Sequence, residues 1–237
     1  MSSIKQIADD LIITMGLRSD DSKIDIRSIY YWINTKRALL IHRELEKSAF
    51  INPAFTQFIP CMNLISVDQN VAVCCNDIST SCTILRSELK LPKTIPFKGN
   101  YGIISISSPM ILGKDIKLVD PKNFKYVGNG RHNRREVFGA IIDDYVYIIT
   151  KADIMQNVAG KTLSIRLVVE NPLDLSSYGL CDSTNTSTSC FSEDTEYPLP
   201  DYLVATIKQM VLQDDLKITM TVPEDNSNNS SGDVVSR

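Results

Sequence analysis

Residues 25–48 read DIRSIYYWINTKRALLIHRELEKS, and the way this stretch is partnered decides the fold. Ile26, Ile29, Tyr30, Ile33, Leu40, Ile41 and Leu45 recur at helical spacing, with Asp25 placed to cap the first turn. Continued to Ser48, such a helix is roughly 35 Å long at about 1.5 Å per residue. Lys36, Arg37, Arg43, Glu44, Glu46 and Lys47 are read onto its exposed face, because they carry more charge of both signs than a buried helix tolerates. The apolar stripe needs partners, and two further stripes supply them. Ile4, Ile7, Ala8, Leu11, Ile12 and Met15 form a first helix that Gly16 would close. Leu203, Val204, Ile207, Met210 and Val211 form a late one over Pro200 to Leu212, approached through Pro198 and Pro200. The three stripes predict a small bundle made of an N-terminal helix pair and a C-terminal helix.

Between these helices the texture changes. From Asn52 onward, short apolar runs are separated by prolines and glycines, which predicts strands. The expected strands are Met62 to Val67, Thr83 to Leu85, Gly102 to Ser107, Phe124 to Val127, Val137 to Ile142, Tyr145 to Thr150 and Leu163 to Val169. Asp143 and Asp144 stand between two β-rich runs and predict a hairpin. The fold class is therefore α+β. The expected organisation is bundle helices over residues 1–51, a β-rich block over 52–197, and the late helix with a short extended segment over 198–222. An Asn/Ser/Asp-rich tail follows over 223–237, too polar to order itself.

Composition narrows the function. The chain has 237 residues, 43% of them hydrophobic and 22% charged, which gives enough apolar side chains for one substantial core. A formal net charge of −3 gives no summed positive field of the kind that non-specific binding to nucleic acid or an anionic membrane exploits. The opening MSSIKQIADDLIITMG is interrupted by Lys5, Asp9 and Asp10, so no secretory signal is expected, and no run of about 18 apolar residues predicts a membrane span. Synthesis in a reducing cytosol follows, and Cys61, Cys74, Cys75, Cys82, Cys181 and Cys190 are read as thiols.

Side chains suited to chemistry are sparse. His42 and His132 are the two histidines, and no serine lies in a GxSxG frame, so a nucleophile with an imidazole base has few possible arrangements. Cys74, Cys75 and Cys82 lack a CxxC pair, which argues against zinc. Most of the paired aspartates adjoin a helix end or a turn, where a carboxylate satisfies backbone donors or stays in water. No catalytic residue, metal ligand or cofactor is assigned. The most concentrated basic feature is GNGRHNRR at residues 128–135, in which Arg131, Arg134 and Arg135 are read as a hairpin tip or subunit contact, or as a surface facing DNA.

The helix pair is followed by SCTILRSELKLPKTIPFKGNYGIISISS (residues 81–108), IIDDYVYIITKADI (141–154), LSIRLVVENPLDL (163–175) and EYPLPDYLVATIKQMVLQDDL (196–216). In layout and texture, from Ile4 to Pro223, the chain resembles the ring or head-to-tail adaptor proteins of tailed phages, the crAss-like type in particular. That resemblance implies a non-enzymatic virion protein made in the cytoplasm of a bacterial host. It implies a ring of about twelve copies, head-to-tail contacts that close when the rotation per subunit divides a full turn, and docking on the portal and on further tail proteins. Passing DNA would be touched weakly, and no membrane is involved. The competing reading is a nucleic-acid-binding or regulatory module that uses the basic loop 131–135; an enzyme comes third.

Overall fold

Ser3 and Gln6 begin the first helix with a reciprocal cap. The Gln6 amide donates to the Ser3 hydroxyl (3.2 Å), and the Ser3 amide donates to Gln6 Oε1 (3.0 Å). In the computed structural model the described residues are 2–14, 24–48, 50–67, 84–97, 101–107, 115–124, 136–149, 162–179 and 191–216. Helix α1 (Ile4–Thr14) buries Ile4, Ile7, Ala8 and Leu11. Helix α2 (Ile26–Lys47) starts where its sequence indicates, with Asp25 Oδ1 accepting from the Arg27 amide at 3.2 Å. The short helix α3 (Pro121–Phe124) replaces the beginning of the strand expected at Phe124 to Val127. Asp120 caps it by accepting from the Lys122 amide, and Pro121 suits a first helical position. Residues 125–127 lie outside the described part of the chain, as do Met15, Gly16 and the tail 223–237.

Helix α4 (Asp201–Met210) buries Leu203, Val204 and Ile207, then widens into a π-helical turn over Val211–Leu216. Helices α1, α2 and α4 all touch one another, so the predicted helix pair and late helix do form a bundle. One assignment on α2 is overturned. Arg37, expected on the exposed face, is fully buried. It follows Ile33 by four residues and precedes Ile41 by four, so helical geometry places it within the apolar stripe.

The strands are β1 (Gln57–Val67), β2 (Ile84–Ser87), β3 (Ile103–Ser107), β4 (Lys117–Leu118), β5 (Phe138–Ile142), β6 (Tyr145–Ile149) and β7 (Thr162–Leu167). They form one seven-stranded sheet in the order β3-β7-β1-β2-β6-β5-β4, antiparallel except for the β4–β5 pair. Strand β1 joins its two halves, because Gln57 to Asn63 pair with β7 while Leu64 to Val67 pair with β2. It begins five residues before the expected start at Met62. Pro60 looked like a breaker, but the register shifts between Ile59 and Met62, and this bulge accommodates a residue that has no amide to donate. The Ser164 hydroxyl donates to Pro60 O across it (2.9 Å). The β5–β6 hairpin stands where it was read, with Asp143 and Asp144 both in the left-handed region (φ 51° and 66°).

The inner face of β3-β7-β1 presents Ile103, Ile106, Ile165, Leu167 and Ile59 to the bundle, and these join Ile33, Ile41 and Ile207 in one continuous core. Strands β2, β5 and β6 are buried on both faces: Leu85, Val146 and Ile148 enter that core, while Ile84, Phe138, Ala140 and Tyr147 form a second, smaller cluster. Gly102 enters β3 at φ 71°, and a Cβ there would stand 2.5 Å from the Ile95 carbonyl oxygen. Because the obstacle is backbone and the dihedral is unfavourable for any L side chain, Gly102→Ala is expected to destabilise by about 2 kcal/mol or more. A chemical denaturation midpoint equal to that of the parent would contradict this packing.

Candidate functional site

Around Arg37 the structure concentrates polar side chains inside the core. Its Nη1 donates to the carbonyls of Val169 (2.7 Å) and Glu170 (3.3 Å), and its Nε donates to the carbonyl of Pro198 (3.1 Å). The guanidinium carbon lies 5.6 Å from the centre of the Tyr197 ring. Nη2 has no hydrogen-bond partner among the described residues. Burial pulls the pKa down to about 10, which leaves the group charged at neutral pH. Beside it, the Tyr197 hydroxyl donates to Asn34 Oδ1 (2.7 Å), and Asn34 Nδ2 donates to Asn171 Oδ1 (2.9 Å). Asn171 Nδ2 in turn donates to Asp174 Oδ1 (2.8 Å).

This network exists because two turns bring their backbones to α2. Asn171-Pro172 starts a 3₁₀ turn over Pro172–Ser177, with the Asn171 side chain accepting from the Leu173 amide. The approach to α4 bends at Pro198 and Leu199, where the Leu199 amide donates to the Tyr197 carbonyl (2.7 Å), and Pro200 then stands extended as the residue before the helix. Helix α2 then grips α4 at both ends. Arg37 takes the Pro198 carbonyl before it, and the neighbouring Lys36 reaches Asp214 (2.9 Å) and Asp215 (3.2 Å) after it. Burial works against the Lys36 ammonium, but its two carboxylate partners outweigh that and hold its pKa above the usual lysine value.

Above the network lies a cleft of about 660 Å³ between the first half of α2 and the Glu170–Leu173 segment. Asn34 and Asn171 belong both to its lining and to the buried network, so its shape is set by the core. Tyr30 and Tyr31 contribute aromatic surface, and Tyr31 is 69% exposed. The Tyr30 hydroxyl donates to Glu193 (3.3 Å); burial first, then that carboxylate, push its pKa up to about 12. Arg27 and Lys93 bring positive charge to the cleft, and Glu170 and Glu193 bring negative. A concave surface with aromatic walls and charges of both signs is suited to holding a protein segment.

The residues singled out in the sequence lie elsewhere. Arg131, Arg134, Arg135 and His132 lie outside the described residues, as do Cys74, Cys75, Cys82, Cys181 and Cys190. His42 is partly exposed, with Nδ1 3.7 Å from Glu46 Oε1 on the same helix. Cys61, read as a thiol, is disulfide-bonded. Among the described residues no group of three or more His, Cys, Asp or Glu is arranged to hold a metal, and no helix is long and apolar enough to cross a membrane. The sequence reading missed the cleft and the network. Two signals pointed to them: the spacing that puts Arg37 and Asn34 beside Ile33 and Ile41, and the Asn-Pro turn at Asn171.

Residues 6–234 match the family described as phage tail ring protein 2, of the crAss ring type. Among curated proteins nothing matches the chain.

Replacing Arg37 by Ala orphans the buried carbonyls it serves and opens a cavity, which should cost on the order of 3–5 kcal/mol. Arg37→Lys should recover only part of this, since an ammonium cannot spread its donors over two separate chain segments. Equilibrium denaturation of the two variants checks the ranking, and a lysine variant as stable as the parent would contradict the assigned geometry. A pH dependence also follows. Burial raises the Tyr197 hydroxyl well above its ordinary value, and burial followed by Asp174 raises Tyr178 to about 12. A folded-state pKa above the unfolded value of about 10 means that both contributions are complete below pH 10 and are lost as pH rises through the folded pKa. Arg37 acts in the opposite sense, because its depressed pKa relieves the cost of a buried charge above about pH 10. Tyr30 and Lys36, also raised, act in the same sense as the two tyrosines, so the melting temperature should fall above pH 10. Tyr178→Phe should flatten that fall, and an equal slope in the variant would refute the assignment.

Proposed function

Because the chain belongs to the phage tail ring protein 2 family, we propose that it is a structural, non-enzymatic virion component whose identical copies close into a ring of the head-to-tail connector. The observation that carries this reading is the family match over residues 6–234, nearly the whole chain. The architecture supports it: one core ties helices to sheet, and the concave site is shaped for a protein segment. In this reading the ring surrounds the DNA channel, docks on the portal, and offers its far side to the next tail component. Its closure is rotational, each copy meeting the next through two different surfaces. Arg131, Arg134 and Arg135 are proposed to face the channel, where they touch passing DNA through salt-screened contacts that read no sequence.

Purified particles provide the test. Mass spectrometry of washed virions should find the chain in a fixed ratio to the portal protein, and a reconstruction of the connector should show it as a closed ring. Absence of the chain from intact particles would overturn the reading. In the same particles, replacing Arg131, Arg134 and Arg135 together by Ser should leave ring assembly intact and lower DNA retention. Unchanged retention would remove the channel assignment while leaving the ring in place.

A further inference from the structure

The most exposed large apolar side chain among the described residues is Phe50, at 87%. Its backbone is held in place. Ser48 Oγ accepts from the Phe50 amide (3.1 Å) and donates to the Phe50 carbonyl (2.8 Å), while the Ser48 amide closes α2 by donating to Glu44 O. A phenyl ring presented to water, with its backbone tied to Ser48, is what an interface anchor looks like before its partner arrives. The cleft is the complementary shape, a hollow with the rings of Tyr30 and Tyr31 and the side chains of Ala38 and Leu173 in its lining.

Knob and hollow sit at different places along the direction of α2. The cleft takes residues from Arg27 to Ala38, whereas Phe50 lies beyond Lys47, which is itself about 14 Å of helix from Ala38. Phe50 therefore does not fill the hollow of its own chain. Charges agree with a pairing between chains. Arg43, exposed near the end of α2, and Glu170, exposed at the cleft, form no ion pair with other side chains among the described residues, and their signs are opposite.

We propose that Phe50 of one copy seats in the Tyr30–Tyr31 cleft of the next, with Arg43 of the first copy facing Glu170 of the second. This inference rests on the ring reading given above and names the contact that propagates it. Two different surfaces of one chain meet, so the contact is head-to-tail, the type that closes a ring when the angle is right and that leaves no symmetric dimer as an end state. Aromatic side chains on both sides supply contact area with few rotors to freeze, and the hydrogen-bonded floor of the cleft needs no rearrangement before binding.

The test uses full-length protein in assembled particles. Position 50 is replaced by the photocrosslinker p-benzoylphenylalanine, and particles are assembled from a mixture of ¹⁴N- and ¹⁵N-labelled chains so that adducts between copies can be told from adducts within one. Irradiation should join position 50 to peptides spanning 27–38 or 170–173 of a different copy. In a parallel arm, Arg43→Glu and Glu170→Arg should each lower incorporation into particles, and Phe50→Asp should lower it on the order of tenfold or more at an unchanged melting temperature. The double charge reversal should recover most of the loss. Adducts to another surface of a neighbouring copy, or to a different protein, overturn the proposal and leave the ring standing. So does a double reversal that is no better than its singles, or normal incorporation of Phe50→Asp. If a reconstruction shows no copy touching another, the ring reading itself fails, and that result is distinct from a misplaced contact.

Discussion

The structure turns on a guanidinium group that is taken out of water without a carboxylate among the described residues to meet it. Burying a cation is costly, and Arg37 meets that cost with three backbone carbonyls and the face of Tyr197. Those carbonyls belong to two segments far apart in sequence, Val169–Glu170 after β7 and Pro198 before α4. One side chain on α2 therefore sets the distance from the bundle to the sheet and the point at which the late helix enters. A lysine there would supply charge without the planar fork that reaches both segments, and an aliphatic residue would leave the carbonyls dry and unpaired.

From this constraint comes the division between rigid and adaptable surface. The Tyr197–Asn34–Asn171–Asp174 chain extends the buried polar group outward until it becomes the floor of the cleft. The walls carry the long side chains Arg27, Lys93 and Glu170, which have more rotamers to offer. A hollow with a fixed floor loses little entropy on filling, and that is the condition under which a modest contact repeated around a ring can hold. On the far side of α2, Lys36 with Asp214 and Asp215 fastens the end of the late helix just before the chain leaves the described region.

Much of the architecture was legible from local rules. The three apolar stripes, the Asp25 cap and the Asp143–Asp144 hairpin depend on short-range spacing and turn chemistry, and each stands where those rules put it. What was not legible depends on pairing between distant segments. Pro60 counted locally as a breaker, and only the facing strand β7 turns it into a tolerated bulge. Phe124 sits in a β-like stretch, yet the Asp120-Pro121 cap wins. Arg37 was assigned by its charge when its spacing from Ile33 and Ile41 was the better guide, since charge says where a residue prefers to be and periodicity says where the helix puts it. The cleft could not be read at all, because its two walls are 132 residues or more apart for each of the contacts that join them through Arg37 and Asn34.

In the ring we propose, each copy faces conflicting demands that this arrangement answers. It must stay folded as a single chain before its neighbours arrive, and then it must present two unlike surfaces at a fixed angle. A bundle packed only by apolar stripes permits sliding and rotation, because Ile and Leu contacts are non-directional. Directional bonds from Arg37, Asn34 and Lys36 remove that freedom in α2, the helix that carries the cleft on its first half and Phe50 just past its end. The angle between those two surfaces is then a property of one helix held by hydrogen bonds and ion pairs to the sheet side and to the late helix. In a closed ring, an error in that angle accumulates from copy to copy and prevents closure. Polar contacts in a core that hydrophobic burial already stabilises thus contribute geometry, and geometry is what a ring requires of each copy.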